Sequence, residues 1–257
     1  HMPAVIGWDV SGVITHCGEE VTAFAAGDEV FGCIGFPGAG GAYAEYAVAD
    51  TKAITKKPAS VSFEEAAALP IVGVTAYQAI NEHLQVQKGQ TVLIQAAAGG
   101  VGHLALQFAK LNGAYVYGTA SERNRDFLTS LGIDKMINYH KEKFEDYVKD
   151  VDLVLDAMGG DVLYRSIKCT KPGGKVVCLP SSTKNDPKAI KLAKERNVNL
   201  EWIIMYVSSA HLQEMAVLIS EGKLKINIDQ IIPFTDMAKA HESIESQSTR
   251  GKIVVQL

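Results

Sequence analysis

The chain has 257 residues, 47% of them apolar and 21% charged, a globular balance that excludes a disordered polymer. Twenty-five Lys and Arg stand against twenty-nine Asp and Glu, a formal charge of −4 without a concentrated basic run, which excludes nucleic-acid binding driven by bulk charge. No apolar stretch reaches the roughly 18 residues of a membrane span, no signal-like segment is expected, and Cys17, Cys33, Cys169 and Cys178 are spaced as thiols of a cytoplasmic protein.

Residues 1–58 are rich in Val, Gly and turn signals, with short strands expected over Val10–Thr15, Glu29–Ile34 and Tyr43–Ala49. Ser62 followed by Glu64 and Glu65 starts a helix through Leu69, which Pro70 ends or kinks. From residue 91 strands and helices alternate. Thr91–Ile94 is a buried strand, and Val101, Leu104, Ala105, Phe108 and Ala109 keep helical spacing. Tyr115–Thr119 is the next strand, followed by a helix around Phe127, Leu128 and Leu131. Met136–Tyr139, Val151–Leu155, Lys175–Leu179 and the apolar run Leu200–Val207 continue the strands. This alternation predicts an α/β fold, a doubly wound parallel sheet, over residues 59–207. Residues 208–257 carry helices near Leu212–Ser220 and Met237–Ser246 and a closing strand Ile253–Leu257. The lysine-rich piece Lys184–Arg196 reads as a solvated helix face of Lys188, Lys191 and Lys194, with Ile190 and Ala193 on the other side.

Chemistry concentrates in Gln95–Gly102. Read from Ala97, the segment is G-x-G-x-x-G with alanine in the first slot, set after a strand and before a helix. Gly99, Gly100, Val101 and Gly102 let the main chain approach a pyrophosphate at a helix N-terminus. The end of the next strand selects the dinucleotide. An NAD site places a carboxylate there, whereas this chain has Ser121 with Arg123 and Arg125 close by, a set suited to the 2′-phosphate of NADPH. Glu122 is the competing candidate for the NAD-type acid.

The order Pro3, Gly7-x-Asp9-x-Ser11-Gly12, Gly27-Asp28-x-Val30-x-Gly32 and Gly40-Gly41-x-Tyr43-Ala44-Glu45-Tyr46 resembles the medium-chain dehydrogenase/reductase superfamily. So do Glu65–Pro70, Gly73-x-Thr75-Ala76 and Arg250-Gly251-Lys252. Within it the chain is similar to the zinc-free quinone oxidoreductases related to zeta-crystallin. No metal is expected. Trp8 stands where zinc enzymes of the superfamily carry a histidine, and an indole nitrogen has no free lone pair. Only Cys33 falls where a four-cysteine lobe would sit.

The resemblance implies a Rossmann domain over 59–207 and a partial GroES-like, β-rich catalytic domain over 1–58, to which 208–257 returns. The missing first strands are expected to leave apolar edges that favour association. It implies hydride transfer from NADPH to a quinone or activated alkene, resting on positioning and desolvation. An enoyl-thioester reductase and a non-catalytic NADPH-binding protein are the competing functions. Carried over by residue, Thr75 contacts the nicotinamide end and Gly99–Gly102 take the pyrophosphate. Ser121, Arg123 and Tyr139 hold the 2′-phosphate, with Asn124 standing where relatives often place a lysine. Met205 to Val207 line the nicotinamide pocket through main-chain groups. Tyr43 and Tyr46 are the nearest proton-donor candidates. The last Rossmann strand, with Trp202–Met205, is expected to pair in a homodimer.

Overall fold

A computed structural model of the chain describes residues 4–257; His1, Met2 and Pro3, the residue that opens the motif order, lie outside the described residues. The chain divides into two compact units. One comprises the residues up to Val74 together with Met205–Leu257, and the other is Thr75–Ile204.

The first unit begins with the antiparallel strands β1 (Asp9–Val13), β2 (Glu29–Cys33) and β3 (Ile54–Lys56), in that order across the sheet. β2 is central, and Val30, Ile34 and Ile54 bury together under Val10, Ile14 and Phe24. A Cβ on Gly32 would sit 2.1 Å from the Ala53 carbonyl, so the strands approach this closely only over a glycine. The expected strand Tyr43–Ala49 does not form. Gly41, Ala42 and Tyr43 donate to the Gly7 and Ile6 carbonyls instead of entering a ladder, and Tyr46 and Val48 are exposed. Helix α1 (Phe63–Ala68) starts on a full capping box, with Glu65 N–H donating to Ser62 Oγ at 3.1 Å and Ser62 N–H to Glu65 Oε2 at 3.0 Å. Pro70 then opens a second helix, α2 (Pro70–Tyr77), continued by a π-helical turn over Gln78–His83.

The second unit alternates strand and helix: β4 (Thr91–Ile94), α3 (Gly100–Leu111), β5 (Tyr115–Ala120), α4 (Arg125–Ser130), β6 (Lys135–Asn138), α5 (Phe144–Tyr147), β7 (Val151–Asp156), α6 (Gly160–Cys169), β8 (Thr170–Cys178), α7 (Pro187–Glu195) and β9 (Asn199–Trp202). The six strands are all parallel, in the order β6-β5-β4-β7-β8-β9. The order reverses between β4 and β7, and ligands of such sheets bind outside the carboxyl ends at that point. Val92, Leu93, Ile94, Val154 and Leu155 are fully buried, and Leu93 and Val154 cluster with Leu163 and Ile167 of α6. Each such side chain contributes about 1.5–3 kcal/mol relative to exposure. β9 is shorter than the apolar run Leu200–Val207. Its sheet neighbour β8 ends at Cys178, opposite Trp202, so the chain beyond Ile203 has no ladder to join. On α7 the lysines are exposed as expected, but Ile190 is exposed too. Ala189, Leu192 and Ala193, at i, i+3 and i+4, form the inward face.

The first unit closes with α8 (Ser209–Ser220), β10 (Ile228–Pro233), α9 (Met237–Glu245) and β11 (Lys252–Gln256). β10 and β11 pair in parallel, and β10 was not expected from the sequence. Asp9 ties the unit together: its carboxylate accepts from Ile71 N–H of α2 at 2.8 Å and from Lys252 Nζ at the start of β11 at 3.2 Å. These contacts give two separate motif segments, Gly7-x-Asp9 and Arg250-Gly251-Lys252, one structural reason.

Candidate functional site

At the carboxyl end of β4 the chain turns sharply into α3. Ala96 adopts a left-handed φ of 53°, and Gly99 N–H donates to Ala96 O at 3.0 Å. Ala97 N–H reaches the Thr119 carbonyl of β5 at 2.9 Å, which fixes the turn to the neighbouring strand. Gly102 packs over the turn: a Cβ there would lie 2.3 Å from Ala96 O and 2.8 Å from Ala97 Cα, distances no side chain tolerates. Gly99 is the N-cap of α3 and supplies no capping side chain. The N–H groups of Gly100, Val101 and Gly102 precede the first intrahelical donor, His103 N–H, where a helix presents N–H groups and a positive dipole end to an anion.

The adjoining strand ends carry the selectivity candidates. Ser121 caps a short 3₁₀ turn over Glu122–Asn124. Asn124 is buried, and its Nδ2 donates to Ser121 Oγ at 3.1 Å, so it orients the serine hydroxyl. Tyr139 N–H donates to Ala120 O at 3.3 Å, which sets Tyr139 beside the Ser121 turn with its ring exposed and tilted against His140, ring centroids 4.3 Å apart. Arg123 is exposed on the same turn. Glu122 is gripped from two sides: Arg125 Nε and Nη2 donate to its oxygens at 2.5 and 2.9 Å, and Asn138 Nδ2 donates to Oε2 at 3.1 Å. The Arg125 hydrogen bonds hold the Glu122 carboxyl below its ordinary range. The structure thus brings the glycine turn, Ser121, Arg123, Asn124 and Tyr139 to one edge of one sheet.

Thr75 lies half-buried on α2. Tyr43 packs its ring against Gly7, where a Cβ would meet Tyr43 Cδ1 at 2.5 Å, and stands edge-on to His241. Tyr46 is exposed. Met205 is buried and Val207 half-buried, both in the irregular segment before α8. Among the described residues no group of three or more His, Cys, Asp and Glu is placed to hold a metal ion, and no helix is long and apolar enough to cross a membrane. An open groove of about 730 Å³ involves α5, α6 and α7 and contains none of the candidate residues. Arg165 pairs there with Glu145, and Lys191 with Glu195, in keeping with a solvated helix face.

Comparison with known proteins decides the family. A model of the alcohol dehydrogenase GroES-like domain matches residues 1–59, and a model described as zinc-binding dehydrogenase matches residues 131–255. The structure of the quinone oxidoreductase from Coxiella burnetii superposes with a TM-score of 0.95 at 39% identity, over 100% of this chain and 80% of that one. The chain belongs to the medium-chain dehydrogenase/reductase family. Among other members, Escherichia coli quinone oxidoreductase, solved in complex with NADPH, superposes with a TM-score of 0.90 at 26% identity, over 100% of this chain and 83% of that one. The 2-methylene-furan-3-one reductase of Solanum lycopersicum is 33% identical over 263 residues, which span 99% of this chain but 64% of the tomato enzyme's length.

Four buried polar side chains around the glycine turn, Gln95, Thr119, Asp156 and Ser166, carry no motif signal. The available sign is positional: a polar residue closes each of the apolar runs Val92-Leu93-Ile94-Gln95 and Val154-Leu155-Asp156.

Proposed function

We propose that this medium-chain dehydrogenase/reductase is an NADPH-dependent, zinc-independent oxidoreductase that transfers a hydride to a quinone or an activated alkene. The observation that carries the reading is the single sheet edge bearing the glycine turn, the oriented Ser121 hydroxyl, Arg123 and Tyr139. The cradle fits a dinucleotide, because the space a Cβ on Gly102 would fill is closed by backbone, leaving main-chain donors at the surface of the turn. Two relatives support the acceptor class by name, a quinone oxidoreductase and a furanone reductase.

Bound NADPH supplies the hydride. The chain's own work is to bind and orient. The N–H groups of Gly100, Val101 and Gly102 hold the pyrophosphate. Ser121, kept in place by Asn124, hydrogen-bonds the 2′-phosphate, Arg123 pairs with it, and Tyr139 flanks it. Engagement of Glu122 by Arg125 and Asn138 supports the phosphate reading, since the carboxylate that would serve a ribose 2′-hydroxyl already has its oxygens occupied. Thr75, Met205 and Val207 are assigned to the nicotinamide end by family resemblance. Quinones and enones are electron-poor, so correct placement and exclusion of water carry much of the rate.

Arg123→Ala tests the cofactor reading. NADPH binding is expected to weaken about tenfold or more, the size of one charge-assisted contact, with NADH affinity within about twofold of the parent. Equal loss for both nucleotides, measured by fluorescence titration, contradicts the assignment.

A further inference from the structure

Beneath the glycine turn the buried side chains form one continuous chain of hydrogen bonds with a single direction. Ala96 N–H donates to Thr119 Oγ1 at 3.1 Å, and Thr119 Oγ1 donates to Gln95 Oε1 at 2.7 Å. Gln95 Nε2 donates to Ser166 Oγ at 3.1 Å, and Ser166 Oγ donates to Asp156 Oδ2 at 2.9 Å. Asp156 Oδ1 terminates the chain by accepting Met158 N–H at 2.9 Å and Gly159 N–H at 2.7 Å. All four side chains are at most 3% exposed.

Each link fixes the next. A hydroxyl has one proton; Thr119 Oγ1 accepts from Ala96 N–H through a lone pair, which leaves that proton for Gln95 Oε1. That in turn sets the Gln95 amide with Nε2 toward Ser166, whose proton is drawn by the carboxylate. The chain therefore begins at the residue held at φ 53° and ends at the Asp156 carboxyl, which burial pushes above its ordinary value and which two N–H groups of the turn after β7 anchor. It spans the carboxyl ends of β5, β4 and β7, and the reversal of sheet order lies between the last two. An alanine in the left-handed region is unfavourable by about 1 kcal/mol or more and persists only where its surroundings over-determine it. The Thr119 bond to Ala96 N–H is one such determinant, and the carbonyl of Ala96 is the atom against which Gly102 packs. Buried polar chains of this kind are favourable only when every member is satisfied, and here each link has its partner.

We infer that Thr119, Gln95, Ser166 and Asp156 are positioning residues that preset the turn over 95–102 for a dinucleotide pyrophosphate, acting through the Ala96 backbone without touching the ligand. The inference rests on the dinucleotide-binding reading above. It adds that the affinity of the turn depends on a hydroxyl beneath it as well as on its glycines.

Thr119→Val, which keeps the shape and removes the hydroxyl, and Thr119→Ser, which keeps the hydroxyl and removes a methyl, separate this role from packing. NADPH is titrated into each full-length protein by fluorescence, at a temperature well below the thermal midpoint of both variants. Hydrogen exchange over residues 95–102 is followed without nucleotide. Thr119→Val is expected to raise the NADPH dissociation constant about tenfold and to speed exchange of the turn, while Thr119→Ser stays within about threefold of the parent. Ser166→Ala, two links further along, is expected to weaken NADPH in the same direction; it serves as the test if Thr119→Val does not fold. Parent-like affinity and exchange in Thr119→Val, or equal loss in Val and Ser variants, overturns the inference while leaving the functional reading intact. A parent protein that binds neither NADPH nor NADH overturns both.

Discussion

At the scale of single residues, the glycine turn shows how a motif converts into geometry. Gly102 is needed because backbone atoms occupy the position of its Cβ. Gly102→Ala is therefore expected to displace the turn, to lower stability by about 1–3 kcal/mol as overpacked sites do, and to weaken NADPH at least tenfold; a thermal midpoint and a nucleotide titration check it. Parent-like NADPH affinity in that variant contradicts the role given to the turn. The tight strand-to-helix turn at Gly99 and Gly102 was legible because small residues at fixed offsets after an apolar run permit the close backbone approach found there. The engagement of Glu122 was not, since the partner that grips it from a second side, Asn138, lies on another strand. Asn124 stands where relatives often place a lysine; its hydrogen bond to Ser121 Oγ could not be read from the sequence. The reason for Asp9 was equally hidden, because Lys252 is distant along the chain.

At the scale of elements, the second unit was legible because a parallel sheet buried on both faces writes continuous apolar runs into its strands. Thr91–Ile94 lies where the pattern placed it, and Tyr115–Ala120 and Val151–Asp156 each run one residue beyond the expected Tyr115–Thr119 and Val151–Leu155. The misses have a common origin in pairing, which one strand's sequence does not state. Tyr43–Ala49 alternates without a ladder, β3 and β10 are short or partly exposed, and the apolar run after Trp202 outlasts its neighbour. α2 was hidden by Pro70, which opens a helix as readily as it ends one. Asp152 joins two of these elements: it accepts from Thr91 N–H and Oγ1 of β4 at 2.7 and 2.8 Å and pairs with Lys171 of β8. Burial pushes its carboxyl up, but the Lys171 ammonium and the Thr91 donors outweigh burial and hold it below its ordinary value. A carboxyl lowered in the folded state stabilises fully above its unfolded value and loses that contribution as pH falls through the folded one. Asp152→Asn is thus expected to cost about 2 kcal/mol near neutral pH, with the deficit closing in acid below about pH 3.8. Denaturant titrations at several pH values measure it, and a deficit independent of pH contradicts the assignment.

At the scale of the whole molecule, the order β6-β5-β4-β7-β8-β9 leaves β9 as an open edge among the described residues, with Trp202 on the strand and the exposed Ile204 just beyond it. Unpaired edges of this kind associate unless covered, and we propose a symmetric homodimer formed there. Light scattering is expected to return twice the mass of one chain, and a single-chain mass contradicts it. NADPH-dependent hydride transfer to a conjugated acceptor is tested most directly by following nucleotide oxidation by this chain with a small quinone, NADPH beside NADH. Acceptor-dependent oxidation, faster with NADPH, is the expected result. No acceptor-dependent oxidation with either nucleotide, in a folded protein shown to bind NADPH, would contradict the claim and leave a nucleotide-binding protein without this chemistry.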